Sequence, residues 1–401
     1  MTAAADARRA ANDLATSRVL GVRPQWFALR RASEQLGLAD HELLCAGPPL
    51  RNPTRPCAPV LHAAVCAALL EGWASTPDQA RAQIHAGKIA LRAAQDQDCV
   101  VPLADVLSPS MWVQVVRDGA GQGRTSCSPF NGGMAHPMRV GVFDPAVVAH
   151  LQWLDTHLAP ALRGALSEPV DLIDLADEGL AGGDDCHGKT AAATHALARS
   201  LGSRLGGEQA SVLLGYLEQS PGFFLNLWMA ASRCMLSAAA GTKGASVVTA
   251  GAGNGLEFGI QLAGTGGRWF VHNADAPRVP GGTAELLASS LGAIGDSAIV
   301  DLLGLGAMAT LSRATLEPAG FAAAWPDLSA MPHTLLAARH DGFKQTRPLL
   351  VIDADAVAAS SMEPVISLGV LERSGQHGRI GGGFYRVPAA LFADALSALD
   401  A

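Results

Sequence analysis

The chain has 401 residues, of which 49% are hydrophobic, 16% are charged and 44 are glycines, and its formal net charge is −7. This length predicts about two or three packed units, and the low charged fraction predicts a large buried core and extensive subunit interfaces. Because Lys and Arg are few and scattered, the composition excludes the basic surface of a nucleic-acid-binding protein. We expect a soluble globular protein with small-molecule or protein partners.

Seven cysteines stand at positions 45, 57, 66, 99, 127, 186 and 234. Their odd number, the lack of a CxxC pair and the lack of a secretory signal predict a reducing, cytoplasmic environment. Cys186 and His187 have no partners at metal-ligand spacing, and isolated thiols are typical of small buried hydrophobic residues. We therefore expect neither a metal site nor a cofactor.

The first part of the chain contains both helical and strand patterns. Residues 1–42 have a helical pattern, and Val60–Ala74 is predicted to be a helix with small residues on one face. Thr76 is an N-cap candidate followed by proline at the first helical position. The segments "SMWVQVVRD" and "MRVGVF" both have strand character.

Residues 144–241 have helical patterns throughout. The segment Gly222–Gly241, "GFFLNLWMAASRCMLSAAAG", is the best candidate for a membrane span. It carries Asn226 and Arg233 inside the apolar run, so a buried helix is favoured over a span and no membrane association is expected.

The composition changes after residue 241. Ala245–His272 alternates apolar runs with glycines, which is typical of strands joined by tight turns, and "PLLVIDAD" and "GGGFYRV" indicate further strands. The fold class is predicted to be α+β, with a mainly helical middle region and a Gly-rich mixed α/β C-terminal region. The expected domains are 1–143, 144–241 and 242–401.

The segment Gly183–Thr190, "GDDCHGKT", matches the phosphate-loop pattern G-x-x-x-x-G-K-[ST]. A phosphate loop needs a buried strand directly before its first glycine. The preceding "SEPVDLIDLADEGLAG" instead has helical spacing, with Ser167 as N-cap and Pro169 in the first turn. We predict that this helix ends at Gly182-Gly183, that Asp184 or Asp185 caps a new helix, and that the match is accidental.

Several short segments together are similar to the YahG/YlbE-like family, long described as a domain of unknown function. They run in the same order over residues 43–396, nearly the whole chain. The segments are "AGPPL" (Ala46–Leu50), "EGWA" (Glu71–Ala74), "LSPSM" (Leu107–Met111), "GGDDCHGKTAAAT" (Gly182–Thr194), "FFLNLWMAA" (Phe223–Ala231), "SVVTAGAGNGLEFGI" (Ser246–Ile260), "GDSAIVDLLGLGAMA" (Gly295–Ala309) and "GRIGGGFYRVP" (Gly378–Pro388).

This resemblance implies a subunit of an oxamate carbamoyltransferase of anaerobic allantoin breakdown. Such a subunit acts with a partner that resembles acyl-CoA synthetases and with a third small subunit. The implied reaction is carbamoyl transfer between carbamoyl phosphate and an amide such as oxamate, and the resemblance does not assign catalysis to this subunit. It also implies a Gly-Asp-acid-x-His turn, rather than a phosphate loop, at residues 183–187.

The chain departs from the family pattern at three places. Where many members carry a Cys-His-His-His run, "QDQDCVVPLADVLSPSM" keeps Cys99 and no histidine. A "MCGPM" segment is replaced by "RPCAPV", which keeps Cys57, and an "INTG" turn is replaced by "ISLG", with Ser367 in place of Asn. These departures imply a shifted substrate or the loss of a metal or proton-transfer role.

His187, Asp185 and Asp296 are the candidate catalytic residues. Carbamoyl transfer needs groups that hold the reactants in line and stabilise an oxyanion, and the chain has no G-x-S-x-G nucleophile elbow. A neighbouring Asp could fix the tautomer of His187 and raise its pKa; alternatively His187 lies in an exposed capping turn. Asp185 and Asp296 are acid/base candidates that could equally be N-caps.

Five further residues are candidate substrate ligands: Asn226, Asn254, Glu257, Arg268 and Ser297. Asn226 lies within an apolar helix and must bond a backbone carbonyl, a side chain or a ligand. Asn254 and Glu257 lie in "AGAGNGLEFG", which indicates a turn that lines a pocket or a plain hairpin. Arg268 could bind a carboxylate or lie on the surface, and Ser297 could hold an anion or cap a helix.

The favoured function is a cytoplasmic subunit of a carbamoyltransferase-like enzyme that acts on a small amide or carboxylate. It would assemble with itself and with the acyl-CoA-synthetase-like partner. The first alternative is a non-catalytic scaffold that completes a partner's active site and binds no small ligand alone. The second is a P-loop nucleotide hydrolase.

Overall fold

The computed structural model of the chain describes residues 3–121, 124–309 and 330–400. The helices are α1 (Ala3–Gly21), α2 (Ala32–Leu36), α3 (Ala58–Leu70), α4 (Pro77–His85), α5 (Pro145–Trp153), α6 (Ala159–Ala165), α7 (Leu172–Ala181), α8 (Ala191–Gly202), α9 (Gly207–Glu218), α10 (Phe223–Ser237), α11 (Ala284–Ser289), α12 (Ala298–Leu303), α13 (Met331–Leu335), α14 (Ala354–Ser360) and α15 (Ala389–Asp400). The strands are β1 (Pro24–Arg31), β2 (Glu42–Cys45), β3 (Ala90–Ala93), β4 (Val106–Leu107), β5 (Trp112–Asp118), β6 (Thr125–Pro129), β7 (Val170–Asp171), β8 (Val248–Asn254), β9 (Glu257–Leu262), β10 (Phe270–Asn273), β11 (Ile294–Gly295), β12 (Leu336–Arg339), β13 (Leu349–Ile352), β14 (Val365–Leu371) and β15 (Arg379–Arg386).

The strands form several small sheets, which confirms the predicted α+β class. Two four-stranded antiparallel sheets have the orders β6-β5-β1-β7 and β10-β9-β8-β11. A three-stranded sheet, β3-β2-β4, contains the parallel pair β2–β3, and two hairpin-like pairs are β12-β13 and β14-β15. The three-part division at residues 143 and 241 stays a prediction.

Helix α10 is buried between the first sheet on one side and α12 and β8 on the other. Its Asn226 and Arg233 side chains are hydrogen-bonded inside the protein. Arg233 donates to the backbone oxygens of Thr249 (3.0 Å) and Gln95 (2.9 Å), and Asn226 donates to the oxygen of Pro129 (2.9 Å). This confirms the predicted buried helix, and no helix in the described ranges is long and apolar enough to cross a membrane.

The expectation of helical structure over residues 1–42 is wrong at β1, which lies between α1 and α2. Strand β1 occupies the middle of the first sheet, where it pairs with β5 on one edge and β7 on the other. Trp26 is fully buried there. Pairing on both edges and burial of this large side chain outweigh the helix preference of the neighbouring Ala-rich sequence.

Two smaller expectations are also wrong. "MRVGVF" forms a 3-10 turn at Met138–Val140 instead of a strand. The turn ends at Gly141, which takes φ = 69° and at which a Cβ would collide with Pro59. Helix α7 begins after Asp171 rather than Ser167, because β7 first pairs with β1. Asp171 accepts hydrogen bonds from the N–H groups of Ile173 (3.0 Å) and Asp174 (3.1 Å).

Other predicted features are confirmed. Thr76 caps α4 by accepting a hydrogen bond from the N–H of Gln79 (3.2 Å). Strands β8 and β9 form the hairpin predicted at Asn254-Gly255, where Gly255 has φ = 87°. The side-chain oxygen of Asn254 accepts from the N–H groups of Leu256 (3.0 Å) and Glu257 (2.8 Å), which closes the turn.

Candidate functional site

A cleft of about 580 Å³ lies where the loop between α7 and α8 meets β14 and β15. The starts of α10 and α12 and the segment 131–139 complete its walls. Its polar lining combines hydroxyl, amide, imidazole and cationic side chains: Thr190, Ser297, Ser367, Asn131, His187, Arg139, Lys189 and Arg379. Several glycines of β14 and β15 also line it, so backbone atoms form part of the wall.

The loop between α7 and α8 turns its carboxylates inward. Asp185 Oδ1 accepts hydrogen bonds from the N–H groups of His187 (2.8 Å) and Lys189 (2.9 Å). Asp184 Oδ2 accepts from the N–H of Ala193 (2.8 Å) in the first turn of α8. The protein's own carboxylates thus take N–H groups that a phosphate loop would offer to its ligand.

The element before Gly183 is helix α7 rather than a strand, as the sequence predicted. The phosphate-loop pattern therefore lacks the strand that would position it. One detail differs from the prediction: neither aspartate directly precedes α8, which begins after Thr190. Asp184, six residues before Thr190, still accepts a hydrogen bond from the first turn of α8.

His187 forms a buried hydrogen-bonded pair with Asp301 of α12, 114 residues away in the chain. The bond joins Nδ1 of His187 to Oδ2 of Asp301. The other carboxylate oxygen of Asp301 accepts from the N–H groups of Ala307 (2.8 Å) and Ser367 (3.1 Å), so its position is fixed. Gly306 has φ = 59°, and a Cβ there would collide with this carboxylate.

This pairing determines the charge and the tautomer of His187. Burial alone lowers its pKa, but the charge of Asp301 and the hydrogen bond to it, aided by Asp185, outweigh burial and raise the pKa above the usual 6.5. Since Nδ1 is held by Asp301, Nε2 is the nitrogen available to the cleft, and it has no hydrogen-bond partner within the described ranges. The imidazole can therefore donate or accept one proton at that atom.

Three cationic side chains line the same cleft, and within the described part of the chain none of them forms an ion pair. Arg139 donates to the backbone oxygen of Asn131, and Arg379 Nε donates to the oxygen of Gly381 (2.9 Å). Lys189 follows the His187 turn and is exposed. Unpaired cations around a polar cleft suit an anionic ligand.

Comparison with known proteins places this architecture in a family. The family model described as "Oxamate carbamoyltransferase subunit AllG" matches residues 89–297. The chain belongs to the AllG family. It is 29% identical to the Escherichia coli K12 oxamate carbamoyltransferase subunit AllG over 407 residues, which covers 97% of each chain.

Two further comparisons cover similar lengths. The uncharacterized E. coli K12 protein YahG is 29% identical over 409 residues, 98% of this chain and 86% of that protein. The crystal structure of a conserved protein of unknown function from Enterococcus faecalis V583 matches with a TM-score of 0.91 and 26% identity, covering 100% of this chain and 99% of that one. Both similarities extend over nearly the whole chain.

Of the predicted catalytic residues, only His187 lines the cleft of this AllG-family chain. Asp185 lies behind it and organises the loop. Asp296 is fully buried and accepts from the N–H groups of Gly47 (3.1 Å) and Val101 (2.8 Å) and from Gln95 Nε2 (2.8 Å). Burial raises the pKa of Asp296 to about 7, against the opposing effect of these donors.

Of the predicted substrate ligands, Ser297 lines the cleft. Asn226 does not line the cleft, but its side-chain oxygen accepts a hydrogen bond from Nδ2 of Asn131 (3.0 Å), which does. Asn254 and Glu257 lie together at the β8–β9 turn, away from the cleft lining. Arg268 is exposed and stacks over the ring of Phe270, with 4.9 Å from its guanidinium carbon to the ring centroid.

The sequence reasoning missed Asp301, Arg139, Lys189 and Arg379 as site residues. Asp301 could have been found from the sequence, because it is an acidic residue inside the apolar run "AIVDLLGLG" and a buried charge needs a partner. Lys189 and Arg379 stand inside two of the segments that carry the family resemblance. Arg139 lies in the segment wrongly expected to be a strand, so its direction toward the cleft could not be inferred.

The departures from the family pattern lie at different distances from the site. Ser367, where the family resemblance implies an asparagine, lines the cleft. Cys99 is fully buried beside Cys127, and burial raises the pKa of its thiol. Within the described residues no three His, Cys, Asp or Glu side chains form a group that could hold a metal ion.

Proposed function

We propose that this chain is a carbamoyltransferase subunit whose cleft binds carbamoyl phosphate and a small amide or carboxylate such as oxamate. The observation that carries the proposal is the convergence of Arg139, Lys189 and Arg379 on the cleft that holds the His187–Asp301 pair. The similarity to the E. coli oxamate carbamoyltransferase subunit AllG supports the reaction class.

The two substrates make different demands on the cleft. Carbamoyl phosphate brings a phosphate dianion, and oxamate brings a carboxylate beside its amide. Because the cationic side chains come from three separate segments, they can contact different faces of one bound pair of anions. Positioning both reactants in line and neutralising their charge would supply much of the catalysis.

The transfer step balances without a covalent enzyme intermediate. The amide nitrogen of the acceptor attacks the carbamoyl carbon, a C–N bond forms, and the bond from that carbon to the phosphate oxygen breaks. The proton lost by the nitrogen ends on the departing phosphate. His187 Nε2 relays the proton in two steps: the imidazolium gives its proton to the departing phosphate, and the neutral imidazole then accepts the proton from the amide nitrogen. This role suits an imidazole held by Asp301.

The hydroxyl groups of Ser297 and Ser367 would donate hydrogen bonds to the carbonyl oxygen as charge develops on it. Ser367 replaces the family's asparagine, and a hydroxyl is shorter than a carboxamide. We therefore propose that this chain accepts an amide somewhat larger than the family's usual substrate. No metal ion or cofactor takes part in the proposed reaction.

The enzyme is proposed to be an assembly of this chain, in more than one copy, with an acyl-CoA-synthetase-like subunit, in the cytoplasm. The partner proposal rests on the family resemblance. Met134, on the cleft rim, is 69% exposed, which leaves an apolar side chain for a partner to cover. In the scaffold alternative the partner would supply the substrate-binding groups, and this cleft would stay empty during turnover.

The experiment compares His187→Gln with His272→Gln in the assembled enzyme. His272 forms the matched control pair, since its Nε2 bonds Asp394 (2.8 Å) away from the cleft lining. We expect His187→Gln to lower kcat by about 100-fold or more, because a proton relay is lost, while His272→Gln keeps the wild-type rate. Wild-type turnover by His187→Gln, in an assembly whose subunit composition is unchanged by native mass spectrometry, would favour the scaffold.

A further inference from the structure

Asn131 lines both the cleft and a second cavity of about 230 Å³, here called the side cavity. The side cavity lies among β5, the segment 129–132, and the end of α5. Much of its wall is apolar, including Met111, Trp112, Phe130, Met138, Leu151 and Leu154. An apolar cavity of about 150 Å³ is already large enough to bind benzene, so the side cavity has room for a flat ring system.

Most polar groups at the edge of the side cavity are already engaged. Asp155 bonds Arg31 and accepts from Trp112 Nε1 (2.6 Å). His150 Nε2 contacts the backbone oxygen of Gly132 (2.8 Å). These groups hold the wall together and have little capacity left for a ligand.

Asp105 differs from these groups. It lines the side cavity, is only 5% exposed, and its Oδ1 is buried without a hydrogen-bond partner in the described ranges. Burial raises the pKa of Asp105 to about 7, with the charge of Arg139 acting in the opposite direction. A buried acceptor left without a partner destabilises the fold, and a ligand that supplies a donor would remove that cost.

The backbone of this wall is also irregular. Leu154–Leu158, between α5 and α6, forms a π-helical turn, and Leu154, Asp155 and Thr156 of this turn line the side cavity. Short π-helical turns inserted between α-helices are rare and occur frequently at functional sites. The π-helical turn thus supports a functional role for the side cavity independently of Asp105.

We propose that the side cavity is a second ligand site, for a small, flat, largely apolar molecule with one N–H donor that hydrogen-bonds Asp105 Oδ1. This ligand class is distinct from the anions assigned to the cleft, so the proposal does not depend on the carbamoyl-transfer function. The aromatic and methionine side chains bind the ring, and Asp105 selects molecules that carry the donor.

The test uses indole and indene as probes, because the two have nearly the same shape and only indole has an N–H donor. Calorimetric titration of the whole chain should show indole binding at least tenfold more tightly than indene, as expected for one hydrogen bond to a buried acceptor. In Asp105→Leu the preference should vanish, whereas Asp155→Asn, the matched variant of the other cavity acid, should keep it.

A measurement on the unmutated protein covers the case in which Asp105→Leu does not fold. With ¹³C-methyl-labelled methionine, indole should shift the methyl signals of Met111 and Met138, which line the side cavity, and leave that of Met229, buried in α10, unchanged. Equal affinity for indole and indene in the wild type, or shifts that do not favour Met111 and Met138, would overturn the proposal.

Discussion

His187 is subject to two opposing effects on its charge: burial disfavours the imidazolium, and Asp301 favours it. We predict that Asp301→Asn moves the pKa of His187 from above 6.5 to below it, because burial and the charge of Arg379 then outweigh the remaining charge of Asp185. A ¹⁵N NMR titration of the imidazole nitrogens measures this directly. An unchanged His187 pKa in Asp301→Asn would contradict the pairing.

The same pair predicts the sign of a pH effect on stability. Because the folded-state pKa of His187 lies above its unfolded value of about 6.5, the titration of His187 contributes its full stabilisation below that pH. The contribution is lost as the pH rises through the raised folded-state value. Urea unfolding over this interval should show stability falling as the pH rises in the wild type, and the opposite trend in Asp301→Asn, where the pKa of His187 lies below its unfolded value.

At the scale of single residues, the sequence indicated His187 and Ser297, which both line the cleft, but not their surroundings. An aspartate was expected to raise the pKa of His187, and the neighbouring Asp185 was the candidate. The main partner is Asp301, 114 residues away, while Asp185 mainly binds backbone N–H groups. A single sequence shows which residues can pair but not which distant ones the fold brings together.

The β8–β9 hairpin carries a prediction at the scale of an element. Gly253 pairs with Gly295 of β11, and a Cβ on Gly253 would collide with the backbone oxygen of Ala293. A backbone oxygen cannot rotate away as a side chain can. We therefore expect Gly253→Ala to lower the free energy of unfolding by about 1–3 kcal/mol in urea titrations.

Gly215→Ala is the matched control for this substitution. Gly215 lies within α9, where a Cβ would meet no atom within 4 Å. Replacing glycine by alanine inside a helix should stabilise the protein by about 0.5–1 kcal/mol. If both substitutions change stability by the same amount and sign, the close contact at Gly253 is wrong.

Elements defined by a local pattern were predicted well, and elements that depend on distant pairing were not. Helices α3 and α10 and the β8–β9 hairpin follow from apolar runs, small residues and an Asn-Gly turn. Strand β1 follows an Ala-rich helix and has its partners at residues 112–118 and 170–171. Nothing in its local sequence indicates that both of its edges will be covered.

At the scale of the whole molecule, the cleft is assembled from segments spread over residues 102–384. The net charge of −7 predicted no positively charged surface, yet three cationic side chains meet in the cleft because separate loops and strands converge there. The family resemblance indicated a small anionic substrate before the cleft was known. The position of the cleft could be seen only in three dimensions.

Calorimetric titration of the isolated chain with carbamoyl phosphate tests the central claim, that this cleft is a substrate-anion site. We predict saturable binding to the wild type and to Arg268→Ala, a matched arginine outside the cleft lining. Arg379→Ala should bind at least tenfold more weakly, because a charged hydrogen bond is lost.

MgATP, titrated separately, should produce no binding. Equal affinity of Arg379→Ala and wild type for carbamoyl phosphate would contradict the assignment of the cleft. The absence of any binding would favour the scaffold, and binding of MgATP alone would restore the phosphate loop.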